Sequence, residues 1–322
     1  MNPLLAARSL SVHFPILGGF WKKTVGHVRA VQGVSLEVHP GEVVALVGES
    51  GCGKSTLGFS LLGLQLPTSG ELDLLGKGID IASPSAWKPY RKDFQIIFQD
   101  PYSALNPRLT VFELLAEPLR VHGLVSHPKD LKQVATDLLA QVGLEADALE
   151  RFPHAFSGGQ RQRLCIARAL GLQPKLIICD EVVSALDVSV QAQIINLLLE
   201  LRRKRDLALL FITHDLSLVW TMADRVLVMY LGSIVESAPT KDLFLAPRHP
   251  YTRALLASIP TLDRTKRPKI LEGEIPSSTL PPLGCSFAGR CSRVTDRCRK
   301  EIPKLMQVGN RQVACFDPLP KE

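Results

Sequence analysis

The segment Gly48-Glu49-Ser50-Gly51-Cys52-Gly53-Lys54-Ser55 constrains this chain more than any other stretch. Val43 to Val47 precede it as a continuous apolar run, the pattern of a fully buried strand. Ser55 to Leu64 follow and read as a helix. Strand, G-x-x-x-x-G-K-[ST] loop and helix together are the context in which this motif binds phosphate. The glycines let successive N–H groups curl toward phosphate oxygens, and the helix N-terminus adds its dipole. Lys54 is the candidate for reaching the β- and γ-phosphates, and the Ser55 hydroxyl is a candidate Mg²⁺ ligand. With Thr56 as its next helical residue, the run Gly48–Thr56 is the expected phosphate cradle.

Two more apolar strands are expected downstream, Leu176–Cys179 and Leu207–Thr213, separated by a helix over Val188–Lys204. Val31–Val38 alternates as a half-buried strand ahead of the turn at Pro40-Gly41, and residues 107–170 lean helical. Strands alternating with helices predict an α/β domain with a mostly parallel sheet. Asp180 and Glu181 follow the first of the two strands. A carboxylate at a buried strand's tip is held rigidly, as Mg²⁺ ligation demands, and its neighbour can polarise an attacking water. His214 ends the other strand, in Phe-Ile-Thr-His-Asp, where it can face phosphate.

At 46% hydrophobic and 21% charged, 322 residues suffice for one large domain plus an extension. The first residues, MNPLLAARSLSVHF, lack the pattern of a signal peptide, and no run reaches membrane-spanning length, so a cytoplasmic protein is expected. The excess of positive charge concentrates from Asp263 onward, with 12 Lys/Arg against 7 Asp/Glu. No run of like charge or aromatic-interleaved basic stripe accompanies it, which favours a solvated tail near a membrane over nucleic-acid binding. A boundary is expected where the composition turns Pro-rich. Residues 1–258 form the main domain, with a helical part at about 100–170, and 259–322 a linker and extension.

Phe156 to Arg163 read FSGGQRQR, and Ser157-Gly158-Gly159-Gln160 resembles the signature motif of the ABC (ATP-binding cassette) ATPase family. Other elements fall in that family's order. Gln99 resembles its glutamine loop, the third Mg²⁺-touching position beside Ser55 and Asp180. Asp187, in Ser184-Ala-Leu-Asp187, resembles the loop along the dimer interface, and His214 the switch histidine at the γ-phosphate. The resemblance implies that Lys54, Gln99, Glu181 and His214 serve catalysis. It implies that the signature of one subunit completes the nucleotide site of another. Phe14 is the candidate for stacking on adenine, with Phe20 and Trp21 nearby. One position departs: Val182 stands where the family has proline, which predicts a looser turn at Glu181.

The resemblance spans nearly the whole chain. Phe98-Gln-Asp-Pro101, Val188–Gln193 and His249-Pro-Tyr-Thr-Arg-Ala-Leu255 look like the dipeptide/oligopeptide importer branch, closest to the second ATPase of a dipeptide permease. It implies a P-loop fold with an antiparallel β-subdomain, a helical signature subdomain and a small Cys-rich extension. It also implies ATP and Mg²⁺, a paralogous second ATPase, two permease subunits and, indirectly, a solute-binding protein, all at the cytoplasmic face of the membrane. Nickel or another small solute is the alternative cargo. A soluble, non-transport ABC ATPase is the alternative class, disfavoured by the single cassette without a coiled-coil insertion.

Seven cysteines in such a chain argue for reduced thiols. Cys52, Cys165 and Cys179 are scattered, whereas Cys285, Cys291, Cys298 and Cys315 are spaced C-x5-C-x6-C-x16-C. Four thiolates in a tail poor in large apolar residues suggest a staple, either zinc or an iron–sulfur cluster. Spacing does not choose between them; the importer resemblance implies [4Fe–4S]. The main domain, having its own core, is expected to keep binding ATP when the tail is lost.

Overall fold

The computed structural model describes residues 2–259 except 20, 22 and 126, together with 276, 279 and 283–320. Most of the Pro-rich linker expected around 259–284 therefore lies outside the described residues. The strands in chain order are β1 Leu5–Gly18, β2 Lys23–Val38, β3 Val43–Val47, β4 Ser69–Leu74, β5 Lys77–Gly78, β6 Phe94–Ile97, β7 Leu176–Asp180, β8 Ala208–Thr213, β9 Arg225–Tyr230, β10 Ser233–Pro239, β11 Met306–Val308 and β12 Arg311–Val313.

Two units emerge. The first comprises 1–38, 43–86 and 212–322. It holds an antiparallel sheet of order β2-β1-β4-β5 and the run β11-β12-β10-β9-β3. Within that run β3 lies parallel to β9, and the remaining pairs are antiparallel. All five residues of β3 are buried, as a continuous Val/Ala/Leu run demands when both faces are covered. The helix after the loop covers Lys54–Leu61, shorter than the expected Ser55–Leu64, because Gly63 turns the chain at positive φ. Conversely, β2 begins at Lys23 rather than Val31. Its outer half is exposed and loses alternation, yet it pairs with β1 as far as Gly18–Lys23.

The tail was expected to lack a core of its own, and it borrows one from the same unit. β12 pairs with β10, placing Val313 opposite Glu236. Phe287, 2% exposed, joins a cluster with Tyr230, Tyr251, Val228 and Ala238. Burying that ring contributes about 2 kcal/mol.

The second unit comprises 39–42 and 87–211. It holds the run β8-β7-β6, with β6 parallel to β7 and both β7 and β8 wholly buried. Its helices include Val111–Val121, Pro128–Gln141, Gly158–Leu170 and Val188–Arg205. Two begin with full capping boxes, Thr110/Glu113 and Ser157/Gln160, each satisfying two otherwise orphaned N–H groups.

Candidate functional site

In the first unit, the loop after β3 curls around its own lysine. Lys54 is buried, and its ammonium donates to the carbonyls of Gly48 and Glu49, both at 2.9 Å. Gly53 sits at φ 105°, and a Cβ there would lie 2.0 Å from the Ala30 carbonyl on β2. Gly48 is pressed likewise by the Met229 carbonyl of β9. No L side chain fits either position. Gly53→Ala is expected to weaken nucleotide binding roughly tenfold or more, since left-handed strain and a backbone clash both oppose it. Titration with a fluorescent ATP analogue and a melting curve check this; an unchanged affinity and Tm would contradict the loop geometry.

Also in the first unit, His214 is exposed directly after β8, and Phe14 is half-buried on β1 opposite Val28. Trp21 is 81% exposed, and Phe20 lies outside the described residues.

The second unit brings Gln99 and Glu181 together across 82 positions. Gln99 Nε2 donates to Glu181 Oε2 at 3.0 Å. Asp180, the last residue of β7, is buried. Glu181 itself takes φ 48°, a left-handed conformation uncommon for a side-chain-bearing residue. The turn is not slack despite Val182. The Ser184 N–H and hydroxyl donate to the Glu181 carbonyl at 3.1 and 2.9 Å, and Gln191 donates to the Val183 carbonyl at 2.9 Å. Val182 and Val183 are buried, so packing and side-chain hydrogen bonds do what a proline would do through fixed φ.

Ser157 caps the Gly158–Leu170 helix. Its hydroxyl accepts from Gln160 N at 3.4 Å, while Gln160 Oε1 accepts from Ser157 N at 3.0 Å. A Cβ on Gly159 would meet Val190 at 2.5 Å, so glycine there lets the following helix pack close. Asp187 caps that next helix, accepting from Ser189 and Val190, and these hydrogen bonds lower its carboxyl pKa.

The sequence reading missed three residues of the first unit. Arg290 forms a two-pronged ion pair with Glu49, at 2.7 and 2.9 Å, and the Glu49 N–H donates to the Tyr251 hydroxyl at 3.0 Å. Tyr230 flanks the Arg290 guanidinium. No local signal could have announced contacts spanning about 200 residues.

Cys285, Cys291, Cys298 and Cys315 line one narrow cavity with Phe287 and His249. Burial pushes the Cys285 and Cys291 thiols up and Cys315 up to about 11. Thr295 Oγ1 lies 3.2 Å from Cys298 Sγ. Among the described residues no three His, Cys, Asp or Glu side chains converge closely enough for a single metal ion. Cys52, Cys165 and Cys179 are buried packing residues. Among the described residues no helix is long and apolar enough to cross a membrane.

Comparison with known proteins adds kinship. An ABC transporter family model matches residues 31–184, and an oligopeptide/dipeptide transporter C-terminal region model matches 235–298. The di/tripeptide transport ATP-binding protein of Pseudomonas aeruginosa is 46% identical over 98% of this chain and 98% of its own. The oligopeptide transport ATP-binding protein of Escherichia coli is 47% identical over 98% of this chain and 97% of its own. Among solved structures, a dimeric ATP-binding cassette in a post-hydrolysis state with ADP and phosphate superposes with a TM-score of 0.65. It is 26% identical and covers 73% of this chain and 98% of that one. A Clostridium perfringens component of an ABC transporter complex gives 0.64 at 27% identity, covering 76% of this chain and 91% of that one.

Proposed function

This chain belongs to the ABC transporter ATPase family, and on that premise we propose that it hydrolyses ATP to power import of dipeptides and oligopeptides. One observation carries this: near-50% kinship to peptide-transport ATPases runs the full length, through cassette and peptide-branch C-terminal region alike. The fold is that of an ABC-type P-loop ATPase.

The residue roles follow from chemistry. Gly48–Thr56 cradles the phosphates, Lys54 balances charge at the γ-phosphate, and Phe14 stacks on adenine. Ser55, Asp180 and Gln99 offer a hydroxyl, a carboxylate and an amide oxygen, the hard donors Mg²⁺ takes. Gln99 spends its N–H on Glu181, so its carbonyl is the end suited to a cation. Glu181 accepts the proton of the attacking water as its oxygen bonds to the γ-phosphorus; the bond to the β–γ bridging oxygen breaks, and ADP leaves. His214 donates to the γ-phosphate oxygens. Ser157–Gln160 completes the site of a second ATPase, proposed to be a paralogue, and Asp187 lines the interface. The subunit works peripherally at the cytoplasmic face beneath two permeases fed by a solute-binding protein. Reconstituted with these partners in vesicles, it should hydrolyse ATP faster when the binding protein carries a peptide. Stimulation by nickel and not by peptides would overturn the cargo, and full activity without permeases would overturn the transport reading.

The reading extends to an iron–sulfur cluster in the tail, supported by the four cysteines that line one cavity and by the softness of sulfur as a ligand. A [4Fe–4S] cluster there would tie the tail's separated segments together. Protein purified anaerobically should be brown, with near-stoichiometric iron and acid-labile sulfide. Any one Cys→Ala change should lower the iron content and open the tail to protease. Colourless protein carrying one zinc would replace the cluster; metal-free protein with an equally ordered tail would remove the staple altogether.

A further inference from the structure

The Arg290–Glu49 pair is unlike a surface salt bridge. The arginine side chain is 5% exposed and the glutamate 22%, and both prongs of the guanidinium are used. Arg290 closes the short helical turn Ala288–Arg290, which follows directly on the buried Phe287. The Phe287 ring packs 5.3 Å from Tyr230 and 5.4 Å from Tyr251. The guanidinium is thereby held in place before any ligand arrives. Tyr251 also accepts the Glu49 N–H, so side chain and backbone of this one loop residue are both fixed.

Glu49 poses an electrostatic problem. A loop built to gather phosphate oxygens works against itself by carrying a carboxylate. Uncompensated, that charge repels the incoming anion and competes for Lys54, which already donates to the Glu49 carbonyl.

We propose that Arg290, carried by the Cys-rich C-terminal segment, is a positioning residue of the nucleotide site that acts through Glu49, cancelling its charge and fixing the phosphate loop. The inference rests on the reading of Gly48–Thr56 as the ATP cradle. Its consequence is that the tail is part of the cradle. Arg290 sits between Cys285 and Cys291, which line the same cavity, so disordering that cavity releases Glu49. The expectation that the cassette binds ATP independently of the tail is revised accordingly.

The test titrates full-length protein with Mg-ATP. Arg290→Met should weaken binding roughly 10- to 100-fold, the usual consequence of stranding one member of a buried charge pair. In the assembled transporter the KM for ATP should rise alongside, with kcat at saturation retained. Adding Glu49→Gln to Arg290→Met should recover most of the loss, because the stranded charge is gone; a merely structural arginine gives no such rescue. Arg290→Lys keeps the charge without the fork and should lose less than about tenfold. If Arg290→Met does not fold, the lysine variant decides, a larger loss there overturning the inference. Wild-type affinity in Arg290→Met, or a double variant as weak as the single, overturns it too. Wild-type protein that binds no ATP defeats the nucleotide reading and this inference with it, an outcome distinct from the others.

Discussion

Glu181→Gln is expected to cut ATP turnover by roughly 10²–10⁴-fold while leaving ATP binding intact. The substitution removes the proton acceptor and its charge while keeping the length and shape of the side chain. The Gln99 amide can still donate, because glutamine presents a carbonyl oxygen where Glu181 Oε2 now accepts. The backbone of position 181 is set by Ser184 and by the buried Val182 and Val183, none of which touches the carboxylate through its side chain's charge. Its left-handed φ of 48° is imposed by that turn and persists in the variant. Lys54, Ser55 and Asp180 are untouched, so the ligands proposed for the phosphates and Mg²⁺ are retained. Single-turnover hydrolysis alongside ATP titration separates the two effects. Near-normal turnover would reassign the base, with His214 next in line.

Much of this was legible in the sequence because it is local. Val43–Val47 could be read as a buried strand since five apolar residues in a row leave no polar face, and the loop after it is a contiguous motif. The helix over Val188–Arg205 and the strand ends at Asp180 and Thr213 follow from equally local periodicity. What was hidden lies in long-range contacts or in backbone conformation. Nothing around Glu181 foretells its positive φ, because glutamate carries no left-handed signature. The Gln99–Glu181 bond joins residues from different segments of the unit. Val182 suggested a slack turn because proline's rigidity is visible in a sequence, whereas the bonds from Ser184 and Gln191 that replace it are not. The tail looked coreless because its scarcity of large apolar residues could not show Phe287 entering a cluster that includes residues of β3, β9 and β10.

Ser157→Arg is expected to abolish ATP hydrolysis in the assembled transporter, a loss of at least roughly 10²-fold, comparable to removing a preorganised anion donor. Ser157 is exposed at the start of a helix whose first residues, Gly158 and Gly159, are half-buried and carry no side chain to shield the backbone. In the proposed arrangement a nucleotide presented by a second ATPase would dock there, and a long guanidinium would fill the space its phosphates need. The fold should tolerate the change. Only the cap is lost, the hydroxyl accepting from Gln160 at 3.4 Å, which costs about 1 kcal/mol. Ser157→Ala removes the same cap without adding bulk, so it separates the cost of the cap from the cost of the blocked surface and should retain more turnover. This chain's own phosphate loop lies in a different stretch, Gly48–Ser55, and the arginine variant should bind ATP as wild type does. A fall in ATP affinity of the isolated subunit would mean that the signature acts on its own chain's nucleotide, and the two-subunit arrangement would have to be abandoned. Full turnover in the arginine variant would remove Ser157 from the site entirely.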